Sequence, residues 1–352
     1  MKIDVKTDLW QYLAQTQKKI VMYGMGNGAD KILNICTDRG IEICDFFASD
    51  GFVRGHSFHG KTVLSYSAVK EKYGAENIIV LISFASSLPS VLELFARVES
   101  ECETYAPDVP VCGDKLFDME FFTKHKEDIL STRALLADEL SRNIFDRVIA
   151  YKLSGKLSYL WEAVSERHET FSLIGQVRSA ADLGAYNGDT ARELREIYPD
   201  IEKIYALEPD RRNFKKLSEY ANSIEGTEII PINAAAWRES ATLTFADSGS
   251  RNSGAFAKGR QIEVSALSLD GVLDGAAVDY IKYDVEGAEA EAIEGSAHTI
   301  KAYRPRLSVS VYHRSEDIFA LPLQISSLRP DYKFYLRRRP YIPAWDLDLI
   351  CV

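Results

Sequence analysis

Cysteine is scarce and shows no pairing pattern. The five residues, Cys36, Cys44, Cys102, Cys112 and Cys351, are scattered, odd in number and never in a Cys-x-x-Cys pair. That distribution speaks against a disulfide framework or a thiolate zinc site, and it suits a reducing compartment. Long apolar runs are also missing. The longest, such as Ile78 to Ile82, fall far short of the about 20 residues that span a bilayer, so no membrane partner is expected. Met1 to Lys6 lacks the continuous apolar core of a signal peptide, and the expected location is cytoplasmic. Positive charge is in deficit. A formal net charge of −10 discourages a nucleic-acid partner. The one dense basic run, Arg337-Arg338-Arg339, reads either as a solvated strand end or as a contact for an anionic substrate. What remains, 46% hydrophobic and 27% charged over 352 residues, is an ordinary globular composition, long enough for two domains.

The fold class read from the pattern is α/β, with two Rossmann-like domains joined by a helical connector. Residues 1–115 form the first unit. Lys19 to Tyr23 reads as a buried strand, Gly24-Met-Gly-Asn-Gly-Ala29 as a turn into a helix, and Ile41 to Phe47 and Ile78 to Phe84 as further strands. Residues 116–170 are helical and charged, with Leu136, Leu140, Ile144 and Val148 on one face. Residues 171–352 hold a second ladder. Its strands are expected at Ala180–Leu183, Ile204–Leu207, Glu228–Ile232, Val278–Val285 and Arg306–Tyr312, with an inserted hairpin at Ala241–Phe245 and Ile262–Leu269. Helices are expected over Ala288–Ile300 and Glu316–Leu328. Two closing runs, Tyr332–Arg338 and Trp345–Val352, place an antiparallel strand in a mostly parallel sheet.

The most informative stretch is Asp182-Leu-Gly-Ala-Tyr-Asn-Gly-Asp-Thr190, a strand end, a glycine-rich turn and a helix start. The next strand ends in Glu208-Pro209-Asp210. Glycine lets the backbone approach a ligand, and an acid after the second strand can accept both ribose hydroxyls. The leading acid of Asp-x-Gly-x-x-x-Gly would repel a pyrophosphate and attract an ammonium. A phosphate-free methyl donor, S-adenosyl-L-methionine, answers that chemistry better than a dinucleotide does.

Four motifs in order resemble the FkbM family of S-adenosylmethionine-dependent methyltransferases, Rossmann-like class I enzymes. They are Asp182 to Thr190, Ala206 to Asp210, Asn233-Ala-Ala235, and Ile281-Lys-Tyr-Asp-Val-Glu-Gly-Ala-Glu289, with Arg304 to Leu307 and Tyr312-His313 also fitting. The similarity covers about Leu135 to the C-terminus. It implies a seven-stranded, mostly parallel sheet with an antiparallel C-terminal strand. It also implies a cofactor set of Asp182, Gly184, Ala185, Gly188, Thr190, Glu208, Pro209, Asn233, Ala234 and Asp284. Asp182, Gly184 and Gly188 would surround the methionine end, and Glu208 would hold the ribose diol. Thr190 could equally serve only as a helix cap, and Asn233 could reach the adenine or close a turn.

Asp284, Glu286 and His313 are the catalytic candidates. Asp284 and Glu286 are two apart in a strand and share a face until Gly287 turns the chain. Two carboxylates there can take a proton from a hydroxyl, and His313 is the base candidate by its ordinary pKa. Their clustering leans toward O-methylation of a small-molecule or carbohydrate acceptor, with no resident metal assigned and a homodimer left open. Tyr312 and the loop Ser248 to Gly254 are candidates for lining the acceptor pocket. Two rivals stand beside this reading. Gly24-x-Gly-x-x-Ala29, with Asp45 or Asp50 as the ribose acid, would suit an NAD-dependent oxidoreductase or a nucleotide-sugar-binding protein. A non-catalytic S-adenosylmethionine-binding scaffold is the other.

Overall fold

The computed structural model describes residues 4–247 and 260–352, so the loop Ser248 to Gly254 lies outside the described residues. Seven strands precede residue 110: β1 (Lys19–Tyr23), β2 (Ile43–Ala48), β3 (Ser57–Phe58), β4 (Lys61–Thr62), β5 (Leu64–Ser65), β6 (Ile78–Ile82) and β7 (Glu103–Tyr105). Five of them form a parallel front sheet in the order β5-β2-β1-β6-β7. β6, five consecutive aliphatic residues, is buried throughout, as a central parallel strand covered on both faces must be. The order reverses direction at β1, so the carboxyl ends of β1 and β6 flank the topological switch point.

Helices fill Met119–Lys124, Lys126–Leu135, Glu139–Ser154, Ser158–Trp161 and Arg167–Ile174. Glu139–Ser154 is the longest, capped by Asp138 at its start and by left-handed Gly155 at its end. It lies against the far edge of the rear sheet. Ser141 Oγ accepts from Leu336 N at 2.9 Å, and Ala137 N donates to Phe334 O at 2.8 Å. The connector thereby covers an edge strand that would otherwise offer unpaired backbone groups.

The remaining strands are β8 (Ser179–Leu183), β9 (Lys203–Leu207), β10 (Glu228–Ile232), β11 (Ala235–Ala236), β12 (Ala241–Asp247), β13 (Arg260–Leu267), β14 (Tyr280–Tyr283), β15 (Arg306–Ser310), β16 (Phe334–Arg338) and β17 (Leu347–Cys351). The rear sheet has seven strands in the order β10-β9-β8-β14-β15-β17-β16, all parallel except β17, which runs antiparallel to both neighbours. This is the expected α/β architecture, with β8 and β14 side by side at the switch point. The inserted hairpin, β12 with β13, gains β11 as a third strand.

Two expected elements differ. β14 stops at Tyr283 because Glu286 (φ +53°) and Gly287 (φ +90°) turn the chain. The helix expected over Ala288–Ile300 is two, Glu289–Glu294 and Ala297–Tyr303. They part at Gly295, where a Cβ would lie 2.0 Å from the Trp237 carbonyl oxygen.

Candidate active site

β8 delivers Asp182 to the carboxyl edge of the rear sheet. Its side chain is 0% exposed, and neither carboxylate oxygen has a well-formed hydrogen bond, although the Thr190 hydroxyl stands near enough to favour the ionised form. Lys282 Nζ, on the adjacent β14, stands 3.9 Å from Oδ1. Burial pushes the Asp182 carboxyl up to about 6, with Lys282 opposing. A buried carboxylate without well-formed hydrogen bonds is costly, and a ligand ammonium would relieve it.

The turn after Asp182 is held flush against its neighbours. Gly184 has φ +91°, and a Cβ there would lie 1.9 Å from the Asp284 carbonyl oxygen. Gly184 N and Ala185 N both donate to Leu207 O, at 3.0 and 2.9 Å, which ties the turn to the end of β9. Gly188 caps the helix Asp189–Ile197 in a left-handed conformation, and Thr190 is buried in that helix's first turn. Thr190 N donates to Asp189 Oδ1 at 3.0 Å.

Glu208, the residue after β9, is 6% exposed. Its Oε2 accepts from Tyr186 N and its Oε1 from Asp210 N, both at 2.8 Å. Burial raises this carboxyl to about 7 against those two donors. Each oxygen retains a lone pair for a hydroxyl. Asn233 closes the turn after β9. Its Nδ2 donates to Glu208 O at 2.8 Å and to Pro209 O at 3.1 Å, and so presents Glu208. Ala234 is buried, with its N–H on Ile232 O at 3.0 Å.

These residues fit S-adenosylmethionine. Asp182 is a buried acid with one cation 3.9 Å away, and Glu208 is an acid oriented by two amides with acceptor capacity to spare.

Asp284, Glu286 and His313 converge beyond β14. His313 is 1% exposed. Its Nε2 lies 3.6 Å from Asp284 Oδ1 and 3.7 Å from Glu286 Oε2, and its Nδ1 lies 2.9 Å from Glu289 Oε1. Burial works against charge on the ring, but Glu289, Asp284 and Glu286 outweigh it and push His313 up to about 10. Three carboxylates around the ring thus favour the imidazolium, a charge state that stands apart from the neutral ring expected of a base. Burial raises the Glu286 carboxyl, with His313 opposing. Burial also disfavours the Asp284 carboxylate, yet Lys282, 3.1 Å away, and His313 outweigh it and keep Asp284 below the ordinary range. Among the described residues, no group of histidine, cysteine and acidic side chains is arranged to hold a metal ion.

Three further residues, none of them given a role in the sequence reading, join this cluster. Glu289 is 1% exposed, and its Oε1 also accepts from Val285 N at 2.9 Å and Gly287 N at 3.4 Å. Lys282 links Asp182 to Asp284. Cys112, in the segment leaving the front sheet, donates from N to His313 O at 2.8 Å and from Sγ to Glu286 O at 3.0 Å. A Cβ on Gly287 would come within 2.8 Å of Cys112 Cβ. Glu289 and Lys282 both sat in the quoted motif, whereas nothing near Cys112 in sequence signalled its contact.

The front glycine turn has a different character. A Cβ on Gly24 would meet the Phe84 ring at 2.6 Å and one on Gly28 would meet Ser83 O at 2.3 Å, whereas one on Gly26 (φ +111°) would meet nothing within 4 Å. Asp45 is held by Lys72 at 2.8 Å and by the Tyr73 hydroxyl. Asp50 accepts from Ser67 N at 3.0 Å and Ser67 Oγ at 3.2 Å. Both ribose-acid candidates accept hydrogen bonds from within the front unit. The basic run is corrected. Arg337 and Arg338 are 5% and 1% exposed, the first bound to Asp138 and Ser141, the second to the carbonyls of Leu160, Ala163 and Tyr341.

Residues 182–338 match the family described as the methyltransferase FkbM domain. Among solved structures, the chain is similar to the methyltransferase FkbM from Methylobacillus flagellatus KT. The TM-score is 0.73 at 20% identity, over 95% of this chain and 90% of that one. That likeness spans both sheets. A lesser similarity is to Aeropyrum pernix fibrillarin, in complex with natively bound S-adenosyl-L-methionine, with a TM-score of 0.33 and 13% identity over 51% of this chain and 68% of that one. No curated protein matches the chain. No helix among the described residues is long and apolar enough to cross a membrane. The chain carries a methyltransferase FkbM domain and is an S-adenosylmethionine-dependent methyltransferase.

Proposed function

We propose that the enzyme methylates a hydroxyl oxygen of a small acceptor, with a carbohydrate as the preferred class. The observation that carries this reading is the buried His313, held between Glu289 on one nitrogen and Asp284 with Glu286 on the other. A hydroxyl needs its proton taken as it attacks, whereas an amine in its free-base form does not. S-adenosylmethionine supplies the electrophilic methyl on its sulfonium. Glu286, 39% exposed at the side chain and raised by burial, is placed to accept the hydroxyl proton. His313, already cationic, keeps Glu286 ionised beforehand and donates to the newly protonated site afterwards. Asp284 and Lys282 form a fixed ion pair that orients the turn. Asp182 and Glu208 hold the donor's two ends, so that rate comes mainly from alignment.

The test compares hydroxyl and amine acceptors by formation of S-adenosylhomocysteine, using the native enzyme and Glu286→Gln. The expected result is transfer to a hydroxyl that falls about a hundredfold or more in the variant, with donor affinity unchanged. Transfer to an amine, unaffected by Glu286→Gln, would refute the proposal.

A further inference from the structure

The two sheets meet at their carboxyl edges. Ser86, in the turn after β6, exchanges backbone hydrogen bonds of 2.9 and 3.1 Å with Ile342, in the turn between β16 and β17. Beside this bridge lies a cleft of about 650 Å³, within the ordinary range for organic ligand sites. The helix Pro89–Glu101 of the front unit supplies Leu92, Glu93 and Ala96. Arg339 and Asp346 stand on the rear side, and Trp161 joins the two.

The walls are built rather than incidental. Trp161 Nε1 donates to Glu99 Oε2 at 2.6 Å, which fixes the indole to the front helix. Arg338 donates to Leu160 O at 2.9 Å, to Ala163 O at 3.0 Å and to Tyr341 O, which locks the Trp161 segment to the rear turn. From that turn a row of half-buried rings leads to the catalytic cluster. Tyr341 and Trp345 are 5.6 Å apart by centroid, Trp345 and Tyr312 are 6.3 Å apart, and Tyr312 and His313 are 4.2 Å apart.

Aromatic faces accept the C–H face of a pyranose, and flanking carboxylates accept its hydroxyl hydrogens. Charge narrows the ligand further. Glu93 and Asp346 are acidic, and Arg339 is already paired with Asp346 at 3.5 Å and Asp348 at 3.6 Å. Arg337 and Arg338 are engaged inside the fold. A phosphate would find no surplus cation among these residues.

We propose that this cleft is a distal acceptor subsite for a neutral glycan of two or more sugar residues. The front unit forms one wall, and the aromatic row leads the chain to Glu286. The inference rests on the hydroxyl-methylation reading. The test uses the full chain with S-adenosylmethionine, neutral oligosaccharides of one to four residues, and UDP-glucose as the anionic arm. The expected KM falls at least tenfold between one and three residues. Ala96→Trp, which fills the cleft from an exposed helix position, should abolish that gain while leaving monosaccharide turnover and donor affinity unchanged. Transfer to glycans without length dependence, a gain that survives Ala96→Trp, or a lower KM for UDP-glucose than for any neutral glycan overturns the subsite alone. Absence of transfer to every hydroxyl, with the donor still bound, overturns the hydroxyl reading and the subsite with it.

Discussion

Replacing Glu289 by glutamine probes the catalytic cluster without changing its shape. The gap between the ordinary histidine value of 6.5 and about 10 for His313 corresponds to roughly 5 kcal/mol of preference for the imidazolium. Three carboxylates supply that preference, and Glu289, at 2.9 Å, is the strongest of them. A hydrogen bond to a charged group contributes roughly 2 kcal/mol, so Glu289→Gln should lower His313 by more than a unit and slow turnover about thirtyfold. His313 remains cationic where Glu286 ionises, and the loss of the Glu289 charge, which itself raises Glu286, should let Glu286 ionise earlier, so the acid limb of the kcat/KM profile should move to lower pH. Stability carries the same signature. Because His313 is raised in the folded state, its contribution is complete below about pH 6.5 and is lost as pH climbs through about 10. The variant should show a flatter decline over that window. The assays are NMR titration of the His313 ring, the pH–rate profile and thermal unfolding against pH. A ring that titrates where it did before, with an unmoved acid limb, would show that Glu289 does not set the charge of His313.

Four further outcomes are expected. Asp182→Asn should weaken S-adenosylmethionine by about 10- to 100-fold in calorimetry, yet raise the unfolding temperature of the free protein at pH 7–8, since it removes a buried charge without well-formed hydrogen bonds; a fall in both would mark Asp182 as purely structural. Donor binding between pH 6 and 7 should release protons, read as a buffer-dependent heat, and affinity should drop as pH falls, because a bound cation and diol favour the ionised forms of Asp182 and Glu208, which rest at about 6 and about 7. Gly184→Ala, whose Cβ would lie 1.9 Å from the Asp284 carbonyl, should lower stability by roughly 3 kcal/mol or more in denaturant titration. NAD should give no thermal shift, and Asp45→Asn should cost about 1–3 kcal/mol through its lost ties to Lys72 and Tyr73; protection by NAD that disappears in this variant would restore the nucleotide reading.

What the sequence disclosed, and what it hid, divides along a physical line. Local signals were legible. The apolar run before Asp182, the glycines at 184 and 188 and the acid after β9 are each dictated by backbone geometry within a few residues. The rear sheet and its reversed strand follow from the same short-range patterning. The hidden features depend on approaches between distant segments. Gly295 splits a helix because the Trp237 carbonyl arrives there, and no periodicity records that. Glu289 resembles any first-turn helix acid until His313 is folded against it. Arg337 and Arg338 have the composition of a wet surface, yet the connector helix covers their strand and turns them inward. Cys112 matters through its backbone N–H and position, which residue type does not reveal.

The charges of the site form a single alternating series. Asp182, Lys282, Asp284, His313 and Glu289 follow one another at 3.9, 3.1, 3.6 and 2.9 Å, negative and positive in turn. In a low-dielectric setting charges this close interact strongly, so a change at one end is felt along the row. A donor ammonium at Asp182 competes with Lys282 for that carboxylate. Lys282 is then freer to favour Asp284, and Asp284 in turn holds His313 less strongly toward itself and more toward Glu286. The proposed donor end, Asp182, and the proposed proton-accepting end, beside His313, are thus electrostatically joined across two adjacent strands. That coupling gives the doubly acidic turn a reason to carry a half-buried lysine, and it predicts that Lys282→Met, which cuts the series at its second member, will impair donor affinity and the pH–rate profile together. Loss of only one of the two would mean that the ends work independently.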